Sequence, residues 1–269
     1  MPVKKDAAGN RSVEAEADVP GTPEQVWNAI ATGPGISAWF VPSELEGRVG
    51  GTSISHFASD GSMDAVATIT AWEPPRRFVA EATGAGEPAT VATEWTVEAK
   101  SGGICTVRVV HRWFASSDDW DDQFEGHTHG WVAFFRLLRL YLTHFPGQHG
   151  SAFQFLAPSS DPLAEAWRKL LEPLGLANAS EQRRVVAAPT TQAFEGVVER
   201  TGPQDHPELL VRLDRPAPGF AHLFAMPMGG MTFLSVRFFL FGDDAASIAK
   251  REEPLWRSWL EKHFPTPAG

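Results

Sequence analysis

Cysteine and tyrosine are nearly missing from this chain, one of each among 269 residues. The single thiol, Cys105, rules out an internal disulfide and suits a reducing, cytoplasmic setting. Basic residues are also scarce: 23 stand against 33 acidic ones, leaving a formal charge of −10. That balance argues against nucleic acid as a partner, because phosphate binding replaces counterions with a basic face. It equally disfavours an anionic membrane surface. No apolar run reaches the roughly 18 residues that read as a bilayer span, and the best candidate helix is interrupted by Arg136 and Arg139. Membrane insertion is therefore not expected. The opening MPVKKDAAGN has two lysines but no apolar core, so it does not read as a secretory signal. HExxH, CxxC, Walker and strand-to-helix GxGxxG patterns are absent as well, and no cofactor is expected.

Aromatic bulk is plentiful: ten tryptophans and eighteen phenylalanines, within a hydrophobic fraction of 43%. Such side chains fill cores and also line ligand cavities. The length allows one large domain or two ordinary ones.

In the first half, RSVEAEADV alternates as a strand, and PGTPEQVWNAIA offers a helix with Thr22 as N-cap and Pro23 at its first position. Val26, Trp27 and Ile30 form that helix's buried stripe. Five strand-like runs follow, from GTSISHFA to GICTVRVVHRWF, with breaks at Pro74–Pro75 and a hairpin turn at Ser101–Gly103. Alternation assigns faces in the last two strands. Cys105, Val107, Val109, His111 and Trp113 share the inward face, and Thr106, Arg108, Val110 and Arg112 the outward one. On the partner strand Thr93, Trp95 and Val97 point inward. A one-sided sheet needs a cover, and a helix beginning near Trp131, with Phe134, Phe135, Leu138 and Leu142 on its apolar stripe, supplies it.

The stretch DDWDDQFEGHTHGW, Asp118–Trp131, looks at first like a metal site. His127 and His129, the candidate ligands, would point about 200° apart on a helix and could not grip one ion together. The acidic run suits a helix start instead, because carboxylates favour the positive end of the macrodipole.

The second half echoes the first. VPGTPEQVW is answered by APSSDPLAEAW, GGICTVRVV by GGMTFLSVRFF, and LTHFPG by LEKHFPTP, all in the same order. The chain is read as domains 1–147 and 148–269, the latter a divergent copy shortened before its hairpin and again at the acidic loop, where four strands and an exposed edge are one outcome. The stripe Leu255, Trp256, Trp259 and Leu260 is the inner face of the last helix, with Pro254 in its first turn.

The series TPEQVWNAIATGPGISAWF, GRVGG, EPPRRF, EWTVE, TVRVVH and GHTHGWVAFFRLL, within residues 11 to 146, resembles the SRPBCC superfamily, the START-like or birch-pollen-allergen helix-grip fold. Within it, the similarity is to the family named after activators of heat-shock protein 90 ATPase homologues. Trp39, Gly50–Gly51, Pro74–Pro75, His111 and Gly130–Trp131 match that family's recurrent positions. The resemblance implies an α+β helix-grip fold, a curved antiparallel sheet wrapped around a long C-terminal helix, here in tandem with a trimmed second copy. It also implies a cavity for a hydrophobic small molecule or lipid.

Trp39, Phe40, Trp72, Trp95, His111, Trp113, Trp131 and Phe135 are the candidate ligand-binding residues. His111 is also the one candidate acid or base; the simpler reading is a histidine hydrogen-bonded within the core. Non-enzymatic binding is the leading expectation. The alternatives are a cyclase, aromatase or hydrolase using His111, and a protein-interaction role such as chaperone modulation, with a partner held at the acidic loop Asp118–Glu125.

Overall fold

The computed structural model describes residues 3–5, 10–57, 61, 63–83, 90–114, 121–187 and 194–265, without the side chains of 10, 114 and 121–129. The chain divides into two compact units, Met1–Gln148 and His149–Gly269.

The first unit runs β1 (Lys4–Lys5), β2 (Asn10–Pro20), α1 (Pro23–Ile30), α2 (Gly33–Ser37), β3 (Ser43–Leu45), β4 (Thr52–His56), β5 (Asp64–Glu73), β6 (Arg77–Thr83), β7 (Thr90–Lys100), β8 (Ile104–Phe114) and α3 (Asp121–His144). Its strands form one antiparallel sheet in the order β1-β2-β8-β7-β6-β5-β4-β3, so the first long strand pairs with the last. Helix α1 begins as its sequence dictates. The Thr22 hydroxyl accepts from the Gln25 amide while the Gln25 side chain accepts from the Thr22 amide, a reciprocal capping box, and Pro23 follows. Val26, Trp27 and Ile30 are buried. Helix α3 starts at Asp121, ahead of the expected beginning near Trp131. Asp121 and Asp122 are residue types that favour a first turn.

The face assignment holds. Cys105, Val107, Val109 and Trp113 of β8 are buried with Trp95 and Val97 of β7. Val110 departs from it: placed on the outward face, it is nonetheless 4% exposed. Its cross-strand neighbours are Glu14 and Glu94, and both carboxylates are tied down. Glu14 takes Lys4 and Arg108, and Glu94 takes Arg77 and Arg112. Arg108 and Arg112 flank the valine two residues away on that face, and long stems of this kind can cover a small apolar side chain. Hydrogen bonds from Lys4 and Arg108 hold Glu14 below the ordinary carboxylate range. Burial pushes Glu94 up, but its two arginines outweigh that and leave it lowered too.

The second unit runs β9 (Ser151–Ser159), α4 (Leu163–Leu171), β10 (Arg184–Ala187), β11 (Phe194–Thr201), β12 (Glu208–Arg215), β13 (Gly219–Met228), β14 (Met231–Leu240) and α5 (Ala245–His263). Its antiparallel sheet has six strands, more than the four considered from sequence, in the order β9-β14-β13-β12-β11-β10. Topologically this is the first sheet again with fewer strands, and again the first strand pairs with the last. The two echoed glycine pairs make the same hairpin: Gly102–Gly103 and Gly229–Gly230 all have positive φ, which glycine adopts without a Cβ clash. His144 and His263 each end the closing helix of their unit.

Two expectations for α5 fail. Pro254 lies inside the helix, not in its first turn. It removes the amide that the Lys250 carbonyl would accept, at a cost of about 3 kcal/mol, yet the helix continues because the stripe Ala245, Ala249, Trp256, Trp259 and Leu260 buries on both sides of it. Leu255 is 39% exposed, being one residue off that stripe and therefore turned about 100° from Trp256. Among the described residues no helix is long and apolar enough to cross a membrane.

Candidate functional site

The inner face of the first sheet and the first described side chains of α3 meet in a lattice of rings. Trp131 is the hub. Its indole lies nearly parallel to Phe40 (centroids 5.2 Å, 17°), edge-on to Trp95 (5.0 Å, 86°) and tilted against Phe135 (5.9 Å). Trp95 in turn meets Trp39 at 6.3 Å and Phe135 at 6.1 Å. Edge-to-face and offset pairs of this kind match the positive rim of one ring to the negative face of another. Trp39 is further fixed by its indole N–H, which donates to the Ala29 carbonyl at 2.9 Å and so ties the end of α2 to α1.

His111 brings the lattice its polarity. It sits on β8 directly opposite Thr93 of β7, and its Nδ1 lies 2.9 Å from the Thr93 hydroxyl. Its Nε2 lies 2.7 Å from Nε1 of Trp131, the ring planes inclined by 28°. An indole nitrogen only donates, so Nε2 is the acceptor and carries no proton. The remaining proton sits on Nδ1 and is donated to Thr93. The hydrogen-bond network thus defines a neutral imidazole whose basic nitrogen faces the aromatic lattice.

The eight sequence candidates are not equally placed. Trp39, Phe40, Trp95, His111, Trp131 and Phe135 form one connected group. Trp72 joins it through Phe78, which meets Trp72 at 5.6 Å and Trp95 at 6.2 Å; Trp72 also packs edge-on to Trp27 of α1 at 5.0 Å. Trp113 is buried with Val13 in a separate small cluster that also takes in Val3 and Val91. Sequence reasoning did not single out Thr93 as the partner of His111, nor Phe57, Phe78 and Phe134 as lattice members. Phe40 meets Phe134 at 4.4 Å and the part-exposed Phe57 at 5.6 Å. Phe57 follows β4 at the tip of the β4–β5 hairpin.

The side chains of His127 and His129 and residues 118–120 of the acidic loop lie outside the described residues, although the α3 backbone carries both histidines. Among the described residues no group of three or more histidine, cysteine, aspartate or glutamate side chains could hold a metal ion. The Cys105 thiol, buried, donates to the Gly21 carbonyl, and burial pushes its titration upward, so it is poor as a nucleophile.

Among the described residues the corresponding part of the second unit is largely apolar, although Glu252 is buried on the same face of α5 as Ala249 and Trp256. Phe153, Phe194, Phe238, Trp256 and Trp259 connect ring to ring within a cluster that also buries Leu209, Val211, Leu234, Val236 and Leu240.

A family model described as polyketide cyclase / dehydrase and lipid transport matches residues 10–137. Solved structures with similar folds include protein MLL2253 from Mesorhizobium loti, at 21% identity over 50% of this chain and 98% of that one, TM-score 0.45. The Aha1 dimer from Colwellia psychrerythraea is 18% identical over 49% of this chain and 95% of that one, TM-score 0.42. The di-domain ARO/CYC BexL from the BE-7585A biosynthetic pathway is 16% identical over 96% of this chain and all of that one, TM-score 0.44. No curated protein matches the chain. That family-model match runs from β2 into α3 and lies wholly within the first unit.

Proposed function

We propose that the first unit binds a hydrophobic small molecule or lipid between the inner face of its sheet and α3, without covalent chemistry. One observation carries the reading. The wall made by Phe40, Trp95, Trp131 and Phe135 is aromatic, and the polar pair that the described residues place at its centre is His111–Thr93. Sites for apolar ligands are built this way, with much apolar area and a few polar groups that fix orientation. The acid–base alternative gives His111 a larger role, but Nε2, the nitrogen that would take a proton, already accepts from Trp131. The second unit is a divergent copy whose core is packed apolar side chains, and we assign it no ligand. A reducing, cytoplasmic compartment suits the one buried thiol.

Native mass spectrometry of the purified chain, followed by extraction of what is released, tests the proposal. The expected result is a co-purifying apolar molecule, or one-to-one uptake from a panel of fatty acids, sterols and polycyclic aromatics. A clean mass with no uptake from that panel overturns it.

A further inference from the structure

The tautomer of His111 has a consequence for what the site selects. We infer that the indole of Trp131 is a built-in occupant of a donor-selective aromatic site. The molecule that displaces it is then a planar arene bearing an O–H or N–H donor, a phenol or an indole, in preference to a carboxylate or a wholly apolar compound. The inference rests on the binding reading above and adds the chemical class of the ligand.

Three observations support it. The first is polarity. Thr93 holds the proton on Nδ1, so Nε2 presents a lone pair toward the lattice, 2.7 Å from the indole nitrogen. A phenol or indole N–H replaces that donor atom for atom. An ether or hydrocarbon that displaces the indole forgoes the hydrogen bond to Nε2, which typically weakens binding about tenfold. A carboxylate brings a second lone pair to the first. The second observation is shape. The indole is flanked by a near-parallel phenyl ring from Phe40 at 5.2 Å and by edge contacts from Trp95 and Phe134, so the space it fills is that of a flat ring. The third is the backbone. Trp131 follows Gly130 within α3, and among the described residues a Cβ on Gly130 would meet the Phe134 ring at 3.9 Å, an ordinary contact. Alanine fits there and would favour the helix more than glycine does. The glycine weakens the helix at the residue next to the indole, where displacement requires it to yield.

Thr93 is therefore a positioning residue that acts through His111, and Trp131 a competitor of the ligand. Calorimetric titration of the full chain with 2-naphthol, 2-methoxynaphthalene and 2-naphthoate tests both roles. Wild type should bind the naphthol about tenfold tighter than its methyl ether or the carboxylate. Trp131→Phe, which cannot donate to Nε2, should tighten the naphthol and the ether together and keep their ratio. Thr93→Val, close to isosteric, removes the acceptor that fixes the tautomer; it should collapse the ratio toward one, a change that loss of packing would not produce. Equal affinities for naphthol and ether in wild type overturn the inference while leaving hydrophobic binding intact, as would uptake of a fatty acid with the naphthol excluded. If neither these probes nor the wider panel bind, the binding reading itself falls and this inference with it.

Discussion

Across β7 and β8, Thr93 faces His111; in the register that sets Val107 on Val236, the second unit puts Gly219 opposite Leu240. Both sheets turn this position inward, half-buried in the first unit and fully buried in the second, and both close their first long strand against their last, but one keeps a polar pair and the other an aliphatic side chain. Gly219 cannot be turned back: a Cβ there would lie 2.0 Å from the Phe239 carbonyl oxygen. Trp95 and Val109, the neighbouring pair in the first unit, correspond to Ala221 and Phe238, so the large ring has moved from one strand to the other. A fold that needs only an apolar inner face tolerates either solution. The first unit's polar pair is therefore not a requirement of the scaffold.

Exchange at this position tests the contrast most severely. Leu240→His places an imidazole in an apolar cluster with no threonine opposite, and should cost the second unit about 3 kcal/mol. The mirror change, His111→Leu, leaves the Trp131 and Thr93 groups without that partner but partly accessible to water, and should cost about 1 kcal/mol. Denaturant unfolding of both variants checks the pair; equal losses would erase the distinction between the two inner faces. A smaller difference is expected at the helix starts. Thr22→Ala removes a capping box and should cost about 1 kcal/mol, whereas Pro162, at the start of α4, makes no side-chain cap bond, and its replacement by alanine should stay within about 0.5 kcal/mol. Thermal melts of the two single variants give the comparison.

An effect confined to acid pH lies on the outer face of the first sheet. Glu14 and Glu94 titrate below the ordinary carboxylate range. The stability they contribute is present above that range and is lost as pH falls through their lowered values. Glu94→Gln should flatten the acid limb of a stability–pH curve and leave the neutral plateau within about 1 kcal/mol. An unchanged acid limb would mean that the ion pairs over Val110 contribute nothing.

Much of this was legible from the residues alone. Period-two alternation assigned the inward faces of β7 and β8, and Thr22–Pro23 placed α1, because those signals are local. The topology of the second unit came from the echoed glycine pair and the helix-ending histidines. What alternation could not supply was a partner. Thr93 and His111 are each nine residues from Gly102, so the hairpin turn that sequence located was already enough to set them opposite one another. The Trp131 bond to His111 had no such signal, since it joins a helix to a sheet. Val110 stands on the outward face as alternation placed it, yet is buried, because alternation assigns a face and not the cover that long side chains such as Arg108 and Arg112 can provide. Pro254 was misplaced because a helix stop signal is weaker than two buried tryptophans after it.

The closure of each sheet, first strand to last, also governs how the chain is made. Val13 must wait for His111, and Phe155 for Val236, before either is paired, and contacts so distant in sequence are slow to form. On the ribosome β8 emerges before β9, so β2 meets its own closing strand with no rival present. A chain refolding from denaturant has β2, β8, β9 and β14 all available together, so the two sheets can compete for closing strands as they do not on the ribosome.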